Sequence, residues 1–190
     1  MKNNFFAFLN RMKYINRWGL MRNNYVENIQ EHSLQVAIIA HGLAVIRNKY
    51  FGGNIDARTV ATVAMFHDAS EIITGDMPTP VKYYNTEIIS SYKDLEAKAN
   101  EKIISFLPEE MREEYKELFF CEDEEVRKII KAADKLGAYI KCIEETNAGN
   151  GEFATAKKTL EKWLEDCNIP EVAYFIEHFM KGFSLTLDEM

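Results

Sequence analysis

The stretch from Leu34 to Ile46, Leu-Gln-Val-Ala-Ile-Ile-Ala-His-Gly-Leu-Ala-Val-Ile, does most to limit what this chain can become. On a helix its apolar residues run almost all the way round rather than along one stripe. Such a helix, spanning Glu27 to Lys49, has to be enclosed on most sides by other elements. The rest of the chain offers more helices. Phe5, Phe8, Leu9, Met12 and Ile15 recur at helical spacing and end near Asn16. Asn85-Thr86-Glu87 opens a helix striped by Ile88, Tyr92, Leu95, Ala99 and Ile103. Pro108 closes it and opens a short acidic helix from Glu109 to Leu118. Asp123-Glu124-Glu125 starts another, with acids suited to a helix N-terminus and a stripe of Ile129, Ala133, Leu136, Ile140 and Ile143. Helices over 152–166 and 171–181 follow. No strand alternation, internal repeat or low-complexity segment is visible. The pattern predicts an all-α bundle of about seven to nine helices, in one domain covering residues 1–190.

Composition narrows the function classes. Of 190 residues, 47% are hydrophobic, with twelve Phe and nine Tyr, enough for a sizeable core. A net charge of −7 argues against a nucleic-acid polymer as partner, yet leaves room for a small anionic substrate in a local basic pocket. Cys121, Cys142 and Cys167 are odd in number and form no CxxC. They read as reduced, mostly buried thiols of a cytosolic protein. The start, Met-Lys-Asn-Asn-Phe-Phe-Ala-Phe-Leu, lacks the long apolar core and small-residue cleavage site of a signal peptide. No run reaches the length of a membrane span.

Chemistry concentrates in Ala64-Met65-Phe66-His67-Asp68-Ala69-Ser70-Glu71-Ile72-Ile73-Thr74-Gly75-Asp76. His67 and Asp68 stand side by side in an apolar, helix-like run whose start Asp56 caps. Adjacent helix positions point about 100° apart, so the two side chains converge on one object only from neighbouring faces. A metal ion is such an object. Glu71 would be a surface neighbour of both. Gly75 stops the helix, and Asp76 follows on the exit loop. Two carboxylates beside a metal suggest water activation. Either residue of the pair alone would more often be a surface or capped group, so the pair needs partners elsewhere.

Two imidazoles lie upstream. His32 and His41 are nine residues apart, about 900° of helix rotation, so they point apart and cannot share one ion. His32, entering the buried run, is the better ligand; His41 reads as a hydrogen-bonded buried histidine. Downstream, Asp134 sits at the edge of an apolar stripe and has to be paired, protonated or metal-bound. Gly137, one turn on, allows close approach. Arg17-Trp18 at the exit of the first helix offers the side chain best shaped for phosphate. Asp76-Met77-Pro78-Thr79-Pro80-Val81-Lys82 is a stiff loop, with Met77 and Thr79 restricted to extended backbone by the prolines after them. His178 falls off its helix stripe and reads as surface.

His32, His67-Asp68 and Asp134 on separate helices give two imidazoles and two carboxylates, a set suited to Mn, Co, Fe or Zn rather than Ca or Mg. With an all-helical fold, this pattern resembles the HD-domain metal-dependent phosphohydrolases. The segments Ile15-Asn16-Arg17-Trp18, Met21-Arg22-Asn23, Glu31-His32-Ser33-Leu34-Gln35-Val36-Ala37, His67-Asp68-Ala69-Ser70-Glu71 and Thr74 to Lys82 resemble the bacterial HD-domain 5′-deoxynucleotidases, over essentially the whole chain. The resemblance implies hydrolysis of 2′-deoxyribonucleoside 5′-monophosphates by a cytoplasmic homodimer. It implies one divalent ion, cobalt first and manganese or copper as alternatives, on His32, His67, Asp68 and Asp134. It implies that Arg17 orients the phosphate, that Glu71 and Asp76 are the catalytic carboxylates, and that Trp18 borders the sugar. Arg17, Trp18, His32, Asp68, Asp76, Met77, Pro78, Thr79 and Asp134 would line the substrate. No feature marks a base-reading pocket, so broad base tolerance is expected. A different HD phosphohydrolase, or a helical interaction protein stapled by a metal, are the rival readings. Arg17-Trp18 argues against the first, and the spare carboxylates Glu71 and Asp76 against the second.

Overall fold

The computed structural model describes residues 3–190, and its helices begin where the sequence supplies caps. A short helix α1 (Phe5–Leu9) tightens into a 3₁₀ turn over Asn10–Tyr14. Asn28 then opens the long α2 (Ile29–Tyr50) with a capping box, its side chain accepting from the backbone of Glu31 while Glu31 reaches back. Asp56 caps α3 (Ala57–Met65) through Arg58. Two single-turn helices, α4 (Glu71–Thr74) and α5 (Thr79–Lys82), precede α6 (Thr86–Ile104), capped by Asn85. Then come α7 (Arg112–Phe119), α8 (Glu124–Asn147) capped by Asp123, α9 (Ala154–Asp166) and α10 (Pro170–Phe179). Among the described residues the only strand-like pairing is a single bridge between Asn16 and Asn28. The fold is all-α, as expected, with ten α-helices among the described residues rather than seven to nine.

The extra elements come from two places. The helix expected to run through His67 and Asp68 ends at Met65, and α4 restarts at Glu71. The proline-rich loop is not extended throughout. Thr79 opens α5, because a proline in the first helical turn needs no N–H donor.

The main core is built where α2 packs on α3, α8 and α10. Val36, Ala37, Ala40, Leu43 and Ala44 of α2 meet Val60 and Ala64 of α3 and Ile129, Ala133, Leu136 and Ile140 of α8, all fully or nearly fully buried. A smaller core joins Phe5, Ala69, Ile103 and Leu107, flanked by Phe8, Phe106, Tyr115 and Phe119. The enclosure of α2 is incomplete. Leu34, Ile38 and Val45 stay exposed at 57%, 65% and 38%. His41 lies on the same open face. It is therefore a surface histidine and not the buried one expected, because its side of α2 receives no covering helix.

Candidate active site

The site assembles from four parts of the chain that tertiary packing brings to one end of α2. His32 sits in the first turn of α2 and is completely buried. Just upstream, the backbone folds back on itself. Arg17 N–H donates to Glu27 O at 2.9 Å, and Ile29 N–H to Ile15 O at 3.0 Å. That pairing lays Arg17 and Trp18 against the N-terminus of α2. Asp134, midway along α8, accepts from His32 Nε2 at 3.0 Å. The fourth part is the turn between α3 and α4.

That turn corrects the sequence reading. His67 and Asp68 are not on a helix. Phe66 ends α3, and the chain turns through residues 66–70 before α4. Two apolar residues hold the turn from behind. Phe66 packs its ring 5.3 Å from Phe119 and 5.9 Å from Tyr115, and Ala69 is fully buried in the smaller core. Off the helix, His67 and Asp68 escape the angular separation that adjacent helical positions impose. His67 Nε2 lies 3.2 Å from Asp68 Oδ2, which is 3.7 Å from His32 Nε2. Glu71 opens α4 and is buried at 6% exposure where α4 meets α6.

His32, His67 and Asp68 offer ligand atoms all within 4.8 Å of one another. Asp134 reaches the same His32 Nε2. His67 Nδ1 lies 2.7 Å from Ala64 O, so its N–H donates there and Nε2 is the nitrogen that carries a lone pair when the ring is neutral. That Nε2 is buried and, despite its distance to Asp68, makes no angled hydrogen bond. A buried, unpartnered imidazole nitrogen between a second imidazole and carboxylates fits a divalent cation that displaces its proton.

Charge is tightly balanced here. Burial pulls the His67 pKa down, but the carboxylates of Asp68 and Asp134 outweigh it and raise it to about 8. Burial likewise raises Asp68 and Asp134, and the neighbouring histidines overcome it, holding both carboxyls far below their usual range. Burial, then Asp68 and Asp76, push Glu71 up to about 10. Its Oε2 has no partner. Asp76 is raised by burial, more mildly because Arg17 and the Trp18 amide oppose the shift.

Arg17 is the fixed cation of the site, its side chain 12% exposed. NH1 donates to Glu27 Oε2 at 2.9 Å and contacts His32 Nδ1, and NH2 is 3.9 Å from Asp134 Oδ1. Arg17 is thus no solvated surface charge. Trp18 has φ 60°, a left-handed backbone that a bulky residue adopts at a cost of about 1–2 kcal/mol. Its amide N–H donates to Asp76 Oδ2 at 3.1 Å, its indole N–H to Glu27 Oε2 at 3.3 Å, and its ring packs on Phe153. Gly75, φ 74° and ψ 161°, turns the chain so that Asp76 leaves α4 toward Trp18. Its carbonyl accepts from Tyr92 of α6 at 3.3 Å.

The loop beyond Asp76 is only partly in this cluster. Met77 and Pro78 are half-buried, while Thr79 is exposed. Lys82 is engaged elsewhere, 3.1 Å from Glu96 and over the Tyr92 ring. Gly137 faces His32, but an added Cβ would stand 3.5 Å from His32 Cε1, ordinary contact, so nothing there demands a glycine. Sequence reasoning missed two charged neighbours. Glu27, next to the Asn28 cap, reads locally as one more acid at a helix start. Lys135 brings Nζ to 3.7 Å from Asp134 Oδ2, and nothing in its local pattern distinguishes it from other helix lysines.

The all-α bundle is the fold of HD-domain phosphohydrolases. One from Listeria innocua superposes with a TM-score of 0.81 at 24% identity, covering 95% of this chain and 88% of that one. A cyanophage S-2L HD phosphohydrolase, DatZ, solved with dA and one catalytic Zn²⁺ ion, superposes with a TM-score of 0.64 at 21% identity, over 93% of this chain and 96% of that one. The sequence carries the assignment further. The model of the YfbR-like 5′-deoxynucleotidase family matches residues 4–183. A 5′-deoxynucleotidase of Photobacterium profundum is 53% identical over all of this chain and 98% of its own length. One from Pectobacterium atrosepticum is 52% identical over all of this chain and 96% of its own. The chain belongs to the YfbR-like 5′-deoxynucleotidase family and is a hydrolase of that family.

Proposed function

We propose that this enzyme hydrolyses 2′-deoxyribonucleoside 5′-monophosphates to deoxynucleoside and inorganic phosphate, using one divalent ion held by His32, His67, Asp68 and Asp134. The observation that carries the reading is Arg17, a buried guanidinium touching His32 and 3.9 Å from Asp134. A fixed guanidinium beside residues suited to a divalent ion puts two positive groups on one side of the site, the arrangement that binds a dianion such as a phosphomonoester. Family membership and the relatives' names support the substrate class.

When bound, the ion polarises the phosphoryl oxygens and makes a water acidic. Arg17 binds the phosphoryl oxygens through NH2, while NH1, bonded to Glu27 and His32, fixes the plane of the guanidinium. One of the two carboxylates Glu71 and Asp76 takes the proton of the attacking water. Both are buried or half-buried beside the cluster; Glu71, held protonated by burial, Asp68 and Asp76, would serve as the base only once a bound cation offsets those carboxylates, whereas Asp76 is raised more mildly. The ring of Trp18 borders the sugar and excludes a 2′-hydroxyl by shape, while backbone around Met77, Pro78 and Thr79 lines the substrate. The base is read loosely. The donor set accepts cobalt, manganese, copper or zinc; cobalt is our first choice in vitro.

The enzyme further acts as a homodimer, a reading supported by the open apolar stripe Leu34, Ile38 and Val45 on α2. It resides in the cytoplasm, supported by three unpaired cysteines. No helix of the described residues is long and apolar enough to cross a membrane. Residues 1–190 form one domain, as the shared core of α2, α3, α8 and α10 suggests.

The test is phosphate release from dAMP, dTMP and AMP, with metal-free protein and with added Co²⁺, Mn²⁺, Cu²⁺ or Zn²⁺. The expected result is metal-dependent release from both deoxynucleotides and little from AMP, with Trp18→Ala narrowing the gap. Release from AMP at the same rate would end the sugar-selection argument. Rates differing a hundredfold between dAMP and dTMP would end the loose-base reading. No release from any of them would end the phosphatase reading.

A further inference from the structure

We infer that Glu27 is a positioning residue that couples phosphate grip to sugar selection through a single carboxylate oxygen. Glu27 lies outside the ligand cluster, before the N-cap of α2, and is 7% exposed. Its Oε2 receives two donors, NH1 of Arg17 at 2.9 Å and Nε1 of Trp18 at 3.3 Å. Its backbone carbonyl receives the amide of Arg17 as well. One side chain thereby holds both members of the Arg17-Trp18 pair.

The need for such a hold is visible in the backbone. Trp18 sits at φ 60°, where a bulky side chain relaxes unless its surroundings fix it. Two carboxylates do so from opposite ends of the residue. Asp76 takes the backbone N–H, and Glu27 takes the indole N–H. Asp76 is also offered to the reaction, so that anchor is shared with the substrate. Glu27 is the anchor free to be purely structural. The guanidinium stands 5.8 Å from the Trp18 ring, so a shift of the carboxylate moves both groups together. The inference rests on the nucleotidase reading above, in which Arg17 meets phosphate and Trp18 meets sugar.

The experiment uses full-length enzyme carrying Glu27→Ala or Glu27→Gln, assayed on dAMP and AMP. The same changes are made in a Trp163→Phe background, where Trp18 is the remaining tryptophan of two. Misplacement of a bound group by about an ångström lowers turnover up to about a hundredfold. Glu27→Ala is expected to lower kcat/KM for dAMP by about tenfold to a hundredfold, to narrow the dAMP-to-AMP ratio, and to shift Trp18 emission. Glu27→Gln keeps an acceptor for the indole but loses the charge beside Arg17. It should restore the emission and the ratio while KM for dAMP stays raised. That split separates positioning from a general loss of fold, which thermal melting of each variant reports. A Glu27→Ala enzyme that melts like wild type with unchanged emission and an unchanged dAMP-to-AMP ratio overturns the inference. If wild-type enzyme prefers neither sugar, the nucleotidase reading loses its selectivity. The emission of Trp18 then decides the role of Glu27: a shift upholds it, and no shift overturns it.

Discussion

Replacing Glu145 with alanine should destabilise the protein far more than replacing its partner Lys141 with methionine. The two form a buried i, i+4 pair on α8, 1% and 2% exposed, in direct hydrogen-bonded contact. Glu145 also accepts from the backbone of Asn24 at 2.9 Å and of Tyr25 at 3.1 Å, and from the Asn150 amide at 2.8 Å. Lys141 donates to Tyr25 O as well. Together they staple the segment that follows Arg17-Trp18 to the middle of the bundle. Removing Glu145 leaves an ammonium buried with one neutral acceptor, a loss of roughly 3–5 kcal/mol. Removing Lys141 leaves a carboxylate that still holds three donors, a loss of about 1–2 kcal/mol. Asn24 and Tyr25 are exposed, so water replaces Glu145 at their amides. The double variant Lys141→Met/Glu145→Ala should therefore be more stable than Glu145→Ala alone. The acidity of Glu145 gives a second route to the same magnitude. Burial opposes its ionisation, but Lys141, the backbone amides and Asn150 lower its pKa from 4.5 to about 2. A depressed pKa contributes stability that is complete above the unfolded value of 4.5 and is lost as pH falls toward 2. At about 1.4 kcal/mol per unit this bounds the contribution near 3 kcal/mol. Urea unfolding followed by circular dichroism at pH 7 and again near pH 3 measures both. Additive single-variant losses, or a wild-type advantage over Glu145→Ala that does not shrink at the lower pH, would refute the reasoning.

Two further outcomes follow from the site. A divalent ion at about a hundred times its dissociation constant should stabilise the wild-type fold by about 2.7 kcal/mol, and His67→Ala should abolish that rise in melting temperature, because it removes the buried, unpartnered imidazole nitrogen; an undiminished rise in the variant would place the ion elsewhere. Gly75→Ala should cost about 1–3 kcal/mol in urea unfolding, because φ 74° with ψ 161° is open to glycine almost alone, and should lower phosphate release by turning Asp76 away from Trp18; an unchanged unfolding midpoint would contradict this.

The helices were legible because their signals are local. Asn28, Asp56, Asn85 and Asp123 stand where the caps form, and the apolar spacing of α2 and α8 marked the main core. The members of the candidate site were legible for a related reason. Histidine and aspartate inside apolar surroundings conflict with their setting, and that conflict is visible in one dimension. What the sequence determined, then, was an all-α fold, the caps, and the identity of His32, His67, Asp68 and Asp134 as residues out of place. Tertiary structure decided how they meet. Periodicity around His67 reads as helix, yet Phe66 and Ala69 find their partners on α1, α6 and α7, and that packing breaks the chain into a turn. The left-handed backbone of Trp18 depends on Asp76, 58 residues away, and the burial of Arg17 on Glu27, His32 and Asp134. The open face around His41 exists because no helix covers it. Each of these turns on contacts between residues distant in sequence, where local propensity is worth tenths of a kcal/mol and tertiary packing is worth several.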